Sequence, residues 1–273
     1  MRAPFASAPP PRRRLLRAAS LLAGVLLLGA GAAVAVPRLA DRPTAAAQDL
    51  PGPVLLVPGY GGSTAALSVL ADRLEAQGRV AVVVQLPGDG TGDLREAAAV
   101  LADEVEAAVA EGAPSVDVVG FSAGGVTARL YAAEETGHLR RVVTLGSPHH
   151  GTGVAGLASA LAPEACADAC RQLVPGSPLL TELNSGDETP DGPVWVSVWT
   201  VQDEVVTPPE SGRLEGSVQV PLQDVCSGAV VAHGDLPRNP LGMGVVLWAL
   251  GPGEPTEPGP DDCAGLRALG VSS

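Results

Sequence analysis

Apolar residues along this chain alternate between short unbroken runs and longer stretches in which they recur every three or four positions. The run opening "PVLLVPGYGGS" at residue 53 reads as a strand ending in a Gly-rich turn, and the spacing from Ala65 to Gln77 predicts a helix after it. The same pair of patterns then repeats. Strand "RVAVVVQLPG" precedes helix "DLREAAAVLADEVEAAVAE"; a run from Val116 to Ser122 precedes a helix to about Glu135; and strand "RRVVTLGSP" follows. Because the runs are apolar throughout rather than at every second residue, they predict an α/β fold with a mostly parallel central sheet and helices on both faces. After Gly151 the pattern loosens, so residues 152–185 read as a small cap or rim before "PVWVSVWTVQDEVVTP" resumes as a strand. A last helix is expected over Leu241–Leu250, with the Pro/Gly/Glu-rich tail beyond it as loop.

The first 36 residues follow a different rule. Arg12, Arg13, Arg14 and Arg17 precede an uncharged stretch from Ala18 to Val36, which ends in the small residues Ala33-Val34-Ala35. A basic segment, an apolar segment and a small-residue cleavage site are the marks of an export signal, and the apolar part is also nearly long enough to stay as a membrane anchor. The expected organisation is therefore a signal peptide or N-terminal anchor over 1–36, a Pro/Ala-rich linker over 37–52, and one catalytic-sized domain over 53–273. That domain would be secreted, or anchored outside the cytoplasm. All 30 carboxylates lie beyond Val36, against 12 of the 17 basic residues, so the exported part carries a net charge of −18. Such a surface repels polyanions and excludes nucleic acid as a partner. A monomer is expected.

The four cysteines all fall in the exported part, where an oxidising compartment favours two disulfides. Three pairings are open from the count alone; the one expected joins Cys166 to Cys170, close in sequence, and Cys226 to Cys263, tying the tail to the domain. Cys-x3-Cys has no second pair at zinc spacing, and neither metal nor cofactor is expected.

Chemistry concentrates in "VDVVGFSAGGVTARLY", where Gly120-Phe121-Ser122-Ala123-Gly124 places a serine on the bend between a buried strand and a helix. The bend is tight enough that side chains at 120 and 124 would collide, which accounts for both glycines. A serine hydroxyl needs a base to take its proton and an acid to orient that base. Of the four histidines, His138 reads as a surface residue at a helix end, while His149 and His150 in "LGSPHHGTG" read as lining the rim of the site. In sheets of this type the partners follow in the order Ser, acid, His, which selects His233 as base and Asp203, after strand "VWVSVWTV", as orienter, with Glu204 its competitor. Oxyanion donors are expected from the backbone N–H groups of Tyr60, in the turn after the first strand, and of Ala123.

With these residues in place the chain resembles the α/β-hydrolase superfamily, and within it the secreted bacterial lipases and esterases of the triacylglycerol-lipase type. The resemblance rests on "PGYGG", "GFSAGG", "GSPHHGT", Asp203 in "QDEVVTP" and His233, and covers roughly residues 52–250. It implies hydrolysis of a lipid or small ester through Ser122, His233 and Asp203 with no cofactor. One departure is that many such lipases have His-Gly before the oxyanion residue, where this chain has Pro58-Gly59. Acyl transfer or thioester hydrolysis on the same triad, and a non-catalytic binding protein on the same fold, are the competing functions.

Overall fold

The computed structural model describes residues 50–271, all within a compact unit running from Thr44 to Ser273. The expected export segment, its cleavage site and most of the linker lie outside the described residues. Six strands, β1 (Val54–Val57), β2 (Ala81–Val83), β3 (Val116–Phe121), β4 (Leu139–Leu145), β5 (Val194–Trp199) and β6 (Val218–Pro221), form one sheet in the order β2-β1-β3-β4-β5-β6. Every neighbouring pair is parallel.

The continuous apolar runs have a direct cause in this sheet. Side chains alternate between its faces, and both faces are buried. Val54, Leu56, Val119 and Val143 point into one core with helices α1 (Ala65–Glu75) and α8 (Pro240–Ala249). Leu55, Val57, Val118 and Val142 point into the other, with α2 (Leu94–Ala110) and α3 (Ala123–Glu134). Each buried Val or Leu contributes about 1.5–3 kcal/mol relative to exposure. Of the ten residues in "RVAVVVQLPG", only Ala81–Val83 pair as strand; this edge has a single neighbour, and Val80 and Val82 face solvent.

Residues 152–185 form three short helices, α4 (Gly153–Leu161), α5 (Asp168–Gln172) and α6 (Pro178–Leu183). α5 and α6 are anchored, since Ala169, Cys170, Leu179 and Leu180 join the core on the α3 side. α4 buries only Ala155. After β6, the one-turn helix α7 (Leu222–Val225) leads toward the loop that carries His233.

The tail corrects the expectation of loop. A helical turn at Pro260–Asp262 leads into α9 (Cys263–Gly270), which packs along α8. The two backbones approach so closely that a Cβ at Gly244 would lie 1.7 Å from the Leu266 carbonyl oxygen, and one at Gly270 1.7 Å from that of Pro240. Leu266 enters the core, and Arg73 donates two hydrogen bonds to the Leu269 carbonyl. The Pro- and Gly-rich stretch before Pro260 hid this short helix. The structure contains the Cys166–Cys170 and Cys226–Cys263 disulfides, the second fastening α9 to the segment after β6.

Candidate active site

Ser122 sits between β3 and α3 with φ 54° and ψ −124°, the one non-glycine residue with positive φ among the described residues. Such a conformation costs on the order of 1–3 kcal/mol and persists only where the surroundings enforce it. Here they do. A Cβ at Gly120 would lie 2.5 Å from the Gly125 Cα, and one at Gly124 2.2 Å from the Val57 carbonyl oxygen. The bend therefore fits only with glycine on both sides, and it aims the serine beyond the carboxyl end of the sheet.

His233 lies on a helical turn, His233–Asp235, and reaches both partners. Its Nε2 is 3.0 Å from Ser122 Oγ, and its Nδ1 is 2.7 Å from Asp203 Oδ2. Since the carboxylate accepts the Nδ1 proton, Nε2 is left free to accept the hydroxyl proton. All three residues are buried, and the Phe121 ring packs against the imidazole at 5.1 Å between centroids. Asp203 is held in turn by Val205 N–H (2.9 Å) and Val206 N–H (2.7 Å), both donating to Oδ1. Glu204 takes a separate task, accepting the His233 backbone N–H at 3.2 Å.

The turn "PGYGG" passes directly over the serine. A Cβ on Gly59 would fall 2.8 Å from Ser122 Cβ. Neither the N–H of Tyr60 nor that of Ala123 has an acceptor among the described residues, so both remain available to an oxyanion. Beside them lies a crevice bounded by Pro58, Leu86, Leu94 and Ala123, with a volume of about 10 Å³.

His149 departs from its expected place on the rim. It is fully buried, with Nε2 3.1 Å from Thr144 Oγ1. Thr144 spends its own proton on Ser197, so the imidazole is the donor in that contact. Burial, followed by the charges of Arg129 and His150, holds His149 well below the ordinary histidine range and therefore neutral. His150 is half-exposed and binds Glu188 at 2.9 Å. That hydrogen bond raises the His150 pKa. Burial pushes Glu188 up, but its bonds to His150 and the Glu215 N–H outweigh this and leave it lowered.

Three supports escaped the sequence reading. Gly146, at φ 56°, backs the acid–base pair: a Cβ there would lie 3.2 Å from both Asp203 Oδ2 and His233 Nδ1. Thr200 and Gln202 clamp the histidine loop to the acid loop, Thr200 donating to the Val231 carbonyl (2.9 Å) and Gln202 accepting its N–H (3.0 Å). Gly90 braces the oxyanion turn, its carbonyl accepting Gly61 N–H at 3.1 Å. The glycines stood in "LGSP" and "GDG", but only contacts across the fold reveal what each makes room for.

Fold and bend together match the α/β-hydrolase fold. A family model described as palmitoyl protein thioesterase matches residues 53–184, a little under half of the chain. Among solved structures, Aspergillus fumigatus lipase B is similar at a TM-score of 0.61 and 20% identity, over 80% of this chain and 61% of that one. Bacillus licheniformis lipase BlEst2 in its mature form is similar at 0.60 and 18% identity, over 73% and 91%. A structure of the metagenome-derived lipolytic enzymes LipS and LipT gives 0.57 and 16% identity, over 76% and 95%. The chain thus spans about three fifths of the fungal enzyme and most of the other two. No curated protein matches it in sequence.

Proposed function

We propose that this protein is an exported serine hydrolase that cleaves carboxylic esters of lipids through Ser122, His233 and Asp203. The observation that carries the reading is the continuous line from Asp203 Oδ2 through His233 to Ser122 Oγ, at 2.7 and 3.0 Å. In this scheme His233 Nε2 takes the serine proton as Oγ attacks the ester carbonyl, and Asp203 stabilises the imidazolium that forms. The tetrahedral oxyanion is held by the N–H groups of Tyr60 and Ala123, the latter at the positive end of α3. His233 then protonates the leaving alcohol, and water activated by the same base releases the acid from the acyl-enzyme.

An amphiphilic substrate is supported by the end of the sheet at which the serine lies. Tyr60, Val154, Leu157, Val205 and Val230 are exposed apolar residues on segments that follow β1, β4, β5 and β6, all at the carboxyl end of the sheet. Export is supported by the two disulfides, which persist outside the reducing cytosol. Among the described residues, no helix is long and apolar enough to cross a membrane.

A thioester is the second substrate class, favoured by the family model over 53–184. The steps are unchanged, with a thiol in place of the alcohol. The test is hydrolysis of p-nitrophenyl esters from acetate to palmitate, beside a palmitoyl thioester, by wild type, Ser122→Ala and His233→Ala. Both substitutions should lower kcat by at least about 10⁴-fold. Activity that survives Ser122→Ala would overturn the proposal. A folded wild type inactive on every substrate, but transferring acyl groups to an added alcohol, would replace hydrolysis with acyl transfer.

A further inference from the structure

A cavity with charged walls lies at the opposite end of the strands from the serine. Its volume is about 570 Å³, within the range of small-molecule sites, and its walls include Leu74, Arg79, Arg140, Trp248, Leu250 and Leu269. Asp117, second residue of β3, lies behind its arginine wall, paired with both Arg79 and Arg140. At about 3.3 Å per residue, that places the cavity roughly 16 Å from Ser122 along the strand.

Charge in this wall does not balance. Asp117 is fully buried and serves two guanidinium groups, Arg79 at 2.6 Å and Arg140 at 2.6 and 2.9 Å. One carboxylate between two cations leaves one positive charge in a low-dielectric wall. Both arginines also donate to the Leu250 carbonyl and Arg79 to that of Gly52, which accounts for part of their hydrogen-bonding capacity. It leaves Arg140 Nη1, whose sister atoms Nε and Nη2 carry the hydrogen bonds to Asp117 and Leu250, without an acceptor among the described residues. Glu254 is the acidic residue that lines the cavity, and its charge acts on Arg141, whose guanidinium donates to the Gly253 carbonyl.

We propose that this cavity binds an aliphatic carboxylate, its head on the donors that Asp117 leaves over, Arg140 Nη1 and Arg79 Nε, and its chain against Leu74, Trp248 and Leu269. Guanidinium N–H groups donate charge-assisted hydrogen bonds to a carboxylate, and the apolar walls select a hydrocarbon tail. In a chain of net charge −13, an excess cation in an apolar wall is a local feature that attracts an anion.

The experiment uses the full chain carrying Ser122→Ala, so that binding is read whether or not the chain hydrolyses esters. Of the three tryptophans, Trp248 lines this cavity, while Trp195 and Trp199 are buried elsewhere. Titration with 12-bromododecanoate should quench fluorescence saturably with one-to-one stoichiometry, and Trp248→Phe should abolish the quenching. Arg79→Met keeps the aliphatic stem and should weaken binding at least tenfold, leaving hydrolysis in the Ser122 background unchanged. The neutral analogue 12-bromododecanol should bind at least tenfold more weakly than the acid. Equal quenching by acid and alcohol would reduce the cavity to an apolar surface. Absence of quenching by the acid would mean that the chain before residue 50, or nothing, fills it. Either result overturns the proposal.

Discussion

Asp203 and Glu204 are adjacent carboxylates on one loop, and their tasks separate by geometry alone. Asp203 reaches the imidazole while two backbone N–H groups fix its other oxygen; Glu204 reaches only the backbone of the histidine loop. Asp203→Asn should therefore lower kcat by about 10⁴-fold, because an amide no longer enforces the tautomer that leaves Nε2 free. Glu204→Gln should change kcat by less than about tenfold, since an amide oxygen still accepts the His233 N–H. Steady-state kinetics on one ester would compare the two, and equal losses would show that the assignment of the orienter is wrong.

A pH effect also belongs to single residues. The His150 pKa is raised by its bond to Glu188, so the pair contributes stability that is full below the unfolded histidine value and is lost as pH rises through the raised one. Glu188, lowered, contributes above its ordinary value and loses that contribution as pH falls through the depressed one. His149 acts in the opposite sense to His150: being depressed, it lowers stability as pH falls below the ordinary histidine range. His150→Ala should therefore lower Tm relative to wild type at pH 6 and converge toward it at pH 9. A constant offset across that range would assign the effect to packing rather than to charge.

Among the elements, the two disulfides differ in what they close. Cys226–Cys263 spans 37 positions and fastens α9, whereas Cys166–Cys170 spans 4. Loop-closure entropy predicts losses of about 4 and about 2 kcal/mol for the paired alanine replacements. Denaturant unfolding would measure both, and the larger loss from the short loop would contradict that account. The tail itself shows why element prediction failed there. α9 is eight residues long and rests on glycine contacts with α8, so its stability comes from close packing that periodicity does not encode. The longer helices α2 and α3, with strong local patterns, fell where expected.

Across the whole molecule, a chain of 12 arginines and 30 carboxylates beyond Val36 presents Tyr60, Val154, Leu157, Val205 and Val230 as exposed apolar residues on segments at the carboxyl end of the sheet, where Ser122 lies. Electrostatic repulsion should slow hydrolysis of a substrate dispersed in anionic vesicles relative to zwitterionic ones at low salt. The difference should collapse by about 1 M salt, where the Debye length is about 3 Å. Persistence of the difference at high salt would point to a specific headgroup contact instead.

Local pattern was enough to specify the α/β sheet and the Gly-x-Ser-x-Gly bend at Ser122. His233 and Asp203 were selected by the order in which the partners follow the serine in sheets of this type. Tertiary contact alone decided the rest: that His149 is buried on Thr144 rather than on the rim, that Gly146 makes room for the acid–base pair, that Asp117 is shared by two arginines, and that the tail ends in a helix. Each of these depends on groups brought together from distant positions, where close packing and desolvation, rather than local propensity, set the conformation.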